Sequence, residues 1–284
     1  MTRAIALDAR APALARAASL AGIHGAIAVA IGVVTSGPLA LLLVESLAPQ
    51  PTWQGPSSFA EHYHPLQLVP YCAGFVLIGG FVLLIVSLRE LARPAQRTLA
   101  TCGLVASAVF ATLISLNYVV QTAFVPFLAR NYAAESAPLI AAFSMSNPTS
   151  LAWGIEMWGY GFLGLATWLV APVLRETPFE RGTQLVFASN GVVGVAGALW
   201  TILEPGWVMT RSGMIAFSAW NLLALVLAVL AAIALSRRAR ALDRRARDVG
   251  EVSALPSACN RKGRLRGAVR PRQSAPLGIS REST

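Results

Sequence analysis

Long apolar runs separated by short polar segments set the pattern of this chain. Six runs are long enough to cross a membrane: residues 19–46, 67–88, 98–121, 151–174, 183–203 and 213–235. About 20 helical residues, each rising 1.5 Å, span a bilayer core about 30 Å thick. Backbone amides in hydrocarbon must be paired within their own segment, and the runs lack the alternation of a β-strand. The pattern therefore predicts an all-α bundle of six transmembrane helices.

The runs divide the chain into three parts, an N-terminal segment at 1–16, a six-helix domain at 17–235 and a tail at 236–284. The first run is much longer than the roughly 7 to 15 apolar residues of a cleavable signal peptide, so we expect a retained anchor. Pro38 lies inside this run and is expected to kink it, because proline removes a backbone donor. Beyond about residue 250 few large apolar residues remain, which predicts disorder.

Composition excludes an ordinary water-soluble domain. The 284 residues are 55% hydrophobic and 13% charged, whereas a typical soluble domain is about 25% charged. The net charge of +10 is concentrated in the tail, which holds 13 basic and 4 acidic side chains. The tail has no aromatic residue for base stacking, so nucleic acid is not an expected partner. We expect its first arginines to contact anionic lipid headgroups. They are Arg237, Arg238, Arg240, Arg244 and Arg245.

Arginine falls almost entirely on one side of the predicted membrane. With a cytoplasmic N-terminus, 21 of the 23 basic residues lie in inner segments, and only Arg130 and Arg211 lie in outer loops. Cytoplasmic loops of membrane proteins are enriched in Lys and Arg, so both termini are predicted to be cytoplasmic. The excess of Arg over Lys and the abundance of Ala indicate a GC-rich bacterial genome, and hence an inner-membrane protein.

Polar residues inside the runs are the candidates for chemistry. Glu156 lies about five residues into the fourth run, and a charged group at the bilayer centre costs at least about 2.5 kcal/mol. In the predicted topology five further polar side chains lie in the same outer third of the membrane. They are Asn117, Gln121, Asn221, Glu45 and Glu204. Two interpretations remain open: a cavity that binds a cation, a proton or a small polar ligand, or carboxylates at the headgroups with amides bonded between helices.

A second candidate site is the loop segment that contains Glu61, His62 and His64. Two imidazoles beside a carboxylate are ligands that a divalent metal accepts, and Glu156 or Glu204 would complete the shell. The alternative is a solvated loop at the membrane surface. Apart from this metal, the sequence indicates no cofactor. The three cysteines are far apart, and no HExxH motif occurs, so an enzyme is the least favoured class.

Small residues recur on two of the predicted helices, at Gly22, Ala26 and Ala30 and again at Gly191, Gly194 and Gly197. Such spacing lets helix backbones approach closely in lipid. The contact is expected within the chain, and a homodimer or another membrane protein is the alternative. A non-catalytic membrane partner or assembly protein is therefore the second function that the sequence allows.

Three motifs resemble a family of bacterial membrane proteins. They are the basic turn Leu-Arg-Glu-Leu-Ala-Arg-Pro at 88–94, Asn117, and Glu-Met-Trp-Gly at 156–159. Together they resemble an uncharacterised six-helix integral membrane protein family, known as a domain of unknown function, over residues 17–235. That family usually has Gln at the position of Glu156. The resemblance implies the six-helix fold and carries no activity. The expected function is thus a multi-pass membrane protein whose outer polar layer binds or carries a small ligand or cation.

Overall fold

The computed structural model describes the backbone of residues 2–254 and the side chains of residues 12–248. Within that part of the chain every regular element is helical, which confirms the all-α prediction. The α-helices are α1 Thr2–Ser36, α2 Pro38–Leu47, α3 Pro56–Glu61, α4 Val69–Leu91, α5 Arg97–Val119, α6 Val125–Arg130, α7 Ala137–Phe143, α8 Leu151–Val170, α9 Pro178–Leu203 and α10 Arg211–Ala254.

Five helical segments of the described chain are long and apolar enough to cross a membrane. They are Pro12–Leu47, Pro65–Leu91, Pro94–Arg130, Pro178–Leu203 and Arg211–Asp248. The remaining predicted span corresponds to α8, which has 20 residues but also contains Glu156, three Trp and four Gly residues. With these residues α8 is not among the helices whose length and hydropathy mark them as candidate spans. The sixth span therefore stays a prediction, although α8 packs between α5 and α9.

Several helix ends differ from the predicted boundaries. Helix α1 already begins at Thr2, and α10 continues to Ala254, well beyond the predicted end at residue 235. The apolar pattern predicts only the part of a helix that contacts lipid. Arg and Ala are good helix formers, so the helix can continue beyond that part. The predicted disordered region begins near residue 250 and lies almost wholly outside the described residues.

The first span is interrupted where its proline predicted a kink. Helix α1 ends at Ser36, and α2 begins at Pro38 after Gly37. The amide of Gly37 still bonds to the carbonyl of Val33 at 3.1 Å, and Leu41 bonds back to Gly37 at 3.0 Å. Proline has no amide hydrogen, so the regular ladder stops at Pro38 and resumes beyond it.

Glycines bring neighbouring helices into close contact. Gly25 on α1 faces Gly80 on α4, and a Cβ atom on Gly80 would lie 2.6 Å from the backbone nitrogen of Val29. Gly164 on α8 meets Gly194 on α9 in the same way, since a Cβ atom on either residue would lie 3.1 Å from the other's Cα. Of the predicted small residues, Gly22 packs against Leu235 and Ser87, and Gly191 packs against Trp168 and Gly164. Packing within the chain, the first of the two predicted uses, is thus confirmed for these residues.

A second, smaller core lies at the end of the bundle where α5 is prolonged into α6. Its buried residues come from α3, α6 and α7. They are Phe59, Val125, Leu128, Ala129 and Ile140. The segments that connect the long helices here are therefore packed against one another, and they form a cap over one end of the bundle.

The glycine contact between α1 and α4 predicts a difference between two adjacent substitutions. Gly80→Ala places a methyl group against backbone, and such overpacking costs about 1 to 3 kcal/mol. Gly79→Ala meets nothing within 4 Å and should be neutral or slightly stabilising, because Ala is the better helix former. Thermal unfolding in detergent measures both variants. Equal melting temperatures for the two would contradict the close contact.

Candidate functional site

Glu156 lies inside the bundle and is bonded by two side chains from α5. The residue is only 3% exposed to solvent. The amide of Asn117 donates to Oε2 at 2.8 Å, and the hydroxyl of Tyr118 donates to Oε1 at 3.1 Å. Both carboxyl oxygens are therefore held by neutral donors on one neighbouring helix.

The hydrogen bonds continue beyond these two donors. The hydroxyls of Tyr118 and Tyr160 lie 3.2 Å apart, and either oxygen can be the donor. On the other side, Gln121 donates to Oδ1 of Asn117 at 3.3 Å. Asn117 and Gln121 are four residues apart, a spacing that places them on one helix face. We call Glu156, Asn117, Tyr118, Tyr160 and Gln121 the buried polar centre.

A π-helical turn at Val120–Phe124 follows the part of α5 that carries Asn117 and Tyr118. Pro126 lacks an amide hydrogen, and the amide of Val125 bonds five residues back to Val120. The hydroxyl of Thr122 bonds to the carbonyl of Tyr118 at 2.7 Å. Such turns break the regular helix and recur at functional sites. This one lies where Gln121 reaches from the centre to the cap.

Met145 covers the end of the buried polar centre that faces the cap. Gln121 accepts from the amide of Met145 at 3.2 Å and donates to the carbonyl of Phe143 at 2.7 Å. The indole of Trp153 donates to the carbonyl of Met145 at 2.8 Å. The sulfur of Met145 lies 3.4 Å from Nδ2 of Asn117. Hydrogen bonds from two helices thus hold the cover in place.

Among the side chains that the structure describes, no positive one pairs with Glu156. Within residues 12–248 its carboxylate forms no ion pair, and the ion pairs of that region lie elsewhere. An isolated carboxylate in an apolar interior is costly unless it is neutralised. The centre therefore has the charge and the enclosure to take up one positive charge.

Gln121 joins the buried polar centre as the predicted layer required, but three other members of that layer do not. Asn221 donates to the carbonyl of Phe217 on its own helix at 2.9 Å. Glu45 is exposed, and Glu204 is exposed with its carboxylate 3.3 Å from the indole nitrogen of Trp200. A residue's depth follows from its position along a helix, but its direction depends on the rotation of that helix. The single layer predicted from sequence is therefore divided, and only Asn117 reaches Glu156.

The predicted metal site does not form. Nδ1 of His62 lies 2.9 Å from the carbonyl of Ser58, and Nδ1 of His64 accepts from the amide of Leu66 at 3.2 Å. In the described residues no group of three or more His, Cys, Asp or Glu side chains is placed to hold a metal ion. The imidazoles bond to the local backbone instead, and Glu61, His62 and His64 are all exposed.

Arg238 is largely buried, unlike the other arginines predicted to bind lipid. Its side chain is 11% exposed and lies 3.2 Å from Oε1 of Glu180, and Glu176 is 3.7 Å away. Arg93 also pairs with Glu176, at 3.0 Å. Arg238 thus ties α10 to the start of α9 and is not available to headgroups.

The remaining predicted arginines stay at the surface. The guanidinium of Arg237 lies over the ring of Phe179, with its carbon 4.1 Å from the ring centroid. Arg240, Arg244 and Arg245 are exposed. Contact of these four side chains with lipid headgroups stays a prediction.

Sequence reasoning missed the two tyrosines of the buried polar centre. Tyr160 lies four residues after Glu156, a spacing that places both side chains on one face of α8, so the signal was present. Tyr118 directly follows Asn117, and neighbouring residues on a helix point in different directions. Its contact with Glu156 depends on how α5 and α8 are rotated, which the sequence does not reveal.

Comparison with known proteins gives no relative from which to transfer a function. No protein-family model, no curated protein and no solved structure matches the chain. The resemblance to an uncharacterised six-helix family therefore stays an expectation.

The buried ion pair of Arg238 predicts an effect that a headgroup contact would not have. Arg238→Ala leaves Glu180 buried without its partner, and breaking such a pair costs about 3 kcal/mol of unfolding free energy. Arg240→Ala removes an exposed arginine of the same helix and should change stability little. Thermal unfolding in detergent compares the two variants. Similar small losses for both would contradict the buried pair.

Proposed function

We propose that the chain is a six-span protein of a bacterial inner membrane with both termini in the cytoplasm. The positive-inside distribution of arginine supports the orientation. Trp153, Trp200 and Trp207 lie at the opposite ends of their helices from the arginine clusters, as expected of rings at a membrane interface. In this proposal α8 is the sixth span. Glu156 then lies roughly 8 Å below the outer start of α8, at 1.5 Å per residue.

We propose further that the buried polar centre binds and releases a proton at Glu156. The observation that carries this function is the enclosure of the carboxylate, 3% exposed, among neutral donors only. An ionisable residue within a membrane span usually marks a site of function, because its burial is costly. Intramembrane carboxylates are common members of proton relays. A proton-coupled membrane protein is thus the function that the geometry favours.

The two tyrosines let Glu156 change its protonation state while it keeps a hydrogen-bond partner. A hydroxyl is both a donor and an acceptor, and its hydrogen rotates. When Glu156 is ionised, Tyr118 donates to it. When Glu156 is protonated, the new O–H can donate to Tyr118, which then turns its own hydrogen toward Tyr160, 3.2 Å away. Glu156 is therefore hydrogen bonded to Tyr118 in both states.

A metal cation fits the same centre less well. The N–H of Asn117 and the O–H of Tyr118 point at the carboxylate, so their hydrogens occupy the positions where a cation would approach. Calcium takes six to eight oxygen ligands and magnesium demands near-octahedral oxygen geometry. The centre offers one carboxylate, and its neighbours present donors rather than acceptors. A proton is the smallest positive charge and needs no such shell.

The alternative function, a non-catalytic membrane partner, has partial support. Arg237, Arg240, Arg244 and Arg245 remain exposed for lipid headgroups or an acidic partner. The small-residue faces are occupied by contacts within the chain, such as Gly22 against Leu235 and Ser87. Lipid contact through the four arginines is compatible with proton binding at Glu156, so we propose it as an accompanying property.

Infrared difference spectroscopy tests proton binding directly. A pH change should produce the carbonyl stretching band of a buried carboxylic acid in the purified full chain. Glu156→Gln should abolish this band, because Gln keeps the shape and an acceptor for Asn117 or Tyr118 but cannot titrate. Glu45→Gln is the matched control, since Glu45 is exposed, and it should retain the band. A band that survives in Glu156→Gln, or no such band in the wild-type protein, would contradict the proposal.

A further inference from the structure

A cavity of about 470 Å³ lies between α8, α9 and the beginning of α10. Pockets for small molecules have volumes of about 300 to 1,000 Å³, so this one has the size of a binding site. Most of its wall is apolar, and five of its lining residues are aromatic. They are Tyr160, Trp200, Trp207, Phe217 and Trp220.

Three of these rings, those of Tyr160, Phe217 and Trp220, contact one another and form an aromatic wall. The rings of Tyr160 and Trp220 are 4.5 Å apart between centroids, and the rings of Phe217 and Trp220 are 5.8 Å apart. The indole of Trp207 is fixed by a 2.9 Å bond to the hydroxyl of Thr201. Aromatic faces attract organic cations, most strongly Trp, and the attraction reaches about 2 kcal/mol when the cation is desolvated.

The charge of the cavity has one sign. Among the described residues that line it, Glu204 carries the single ionised side chain, and no Arg, Lys or His is present. The indole of Trp200 donates to Oε2 of Glu204 at 3.3 Å, which holds the carboxylate beside an aromatic ring. A carboxylate next to aromatic faces is complementary to a cation with apolar substituents. The carboxylate repels an anion, and it gains no favourable interaction from a neutral lipid chain.

We propose that this cavity binds a lipophilic organic cation, of the class of quaternary ammonium compounds and hydrophobic amines. The charged centre lies over the aromatic wall and is balanced by Glu204, while the substituents replace water along the apolar lining. Trp200 is 52% exposed and Val192 is 53% exposed, so the cavity opens to the surroundings of the bundle. A ligand that partitions into the membrane can therefore enter it.

The cavity adjoins the buried polar centre through α8. Tyr160 belongs to both, because its ring lines the cavity and its hydroxyl bonds to Tyr118, which bonds to Glu156. Binding of the cation does not depend on proton binding at Glu156. Only an energetic link between the two sites rests on the proposed function, and exchange of a proton for a lipophilic cation is the activity that such a link would provide.

Binding of tetraphenylphosphonium to the purified full chain tests the inference by equilibrium dialysis. We expect saturable binding that the neutral compound triphenylphosphine oxide displaces poorly. Glu204→Gln should weaken binding about threefold to tenfold, which corresponds to about 0.7 to 1.4 kcal/mol. Trp200→Leu should also weaken it. The matched controls are Glu45→Gln and Trp168→Leu, which change an exposed carboxylate and an exposed indole away from the cavity.

The outcomes separate this inference from the proposed function. Glu156→Gln should still bind tetraphenylphosphonium, even though it loses the carboxylic acid band. The inference is overturned if the wild-type chain does not bind the cation. It is equally overturned if the neutral compound competes as well as the cation and Glu204→Gln binds normally, because the cavity would then be a groove for lipid chains.

Discussion

A carboxylate on an apolar helix has to find its partners on neighbouring helices, and this requirement shapes the centre of the molecule. Glu156 comes from α8, whereas its two donors, Asn117 and Tyr118, come from α5. In hydrocarbon there is no water to replace a missing partner. The approach of α5 to α8 and the rotation of both helices are thus linked to the hydrogen bonds of one residue.

Other features of the structure serve the same requirement. Gly159 on α8 faces Ile114 on α5, where a Cβ atom would lie 2.4 Å from the Cδ1 atom of Ile114, so the glycine lets the two helices come close. The π-helical turn at Val120–Phe124 sends Gln121 toward the cover at Met145. The ion pair of Arg238 with Glu180 ties α10 to the start of α9. The glycine and the turn thus bring the partners of Glu156 together, whereas the ion pair fixes two other helices of the bundle.

The sequence predicted the depth of side chains better than their direction. The apolar runs located the long helices, and counting residues along them placed Asn117 and Glu156 at a common level. Asn221, Glu45 and Glu204 were counted at that level too, but their helices are turned so that these side chains point elsewhere. Rotation depends on close packing at glycines such as Gly25 and Gly80, and no single-sequence pattern encodes it. For the same reason the partner of Arg238 was not foreseen.

The central claim is that α8 crosses the membrane and carries Glu156 into it. Single cysteines at the two exposed positions that flank α8 test this most directly, as Thr149→Cys and Arg175→Cys in a chain whose native cysteines are replaced by Ser. A membrane-impermeant maleimide applied to intact cells should label Thr149→Cys, and should label Arg175→Cys only after the membrane is permeabilised. Equal labelling of both positions from one side would show that α8 does not span the bilayer.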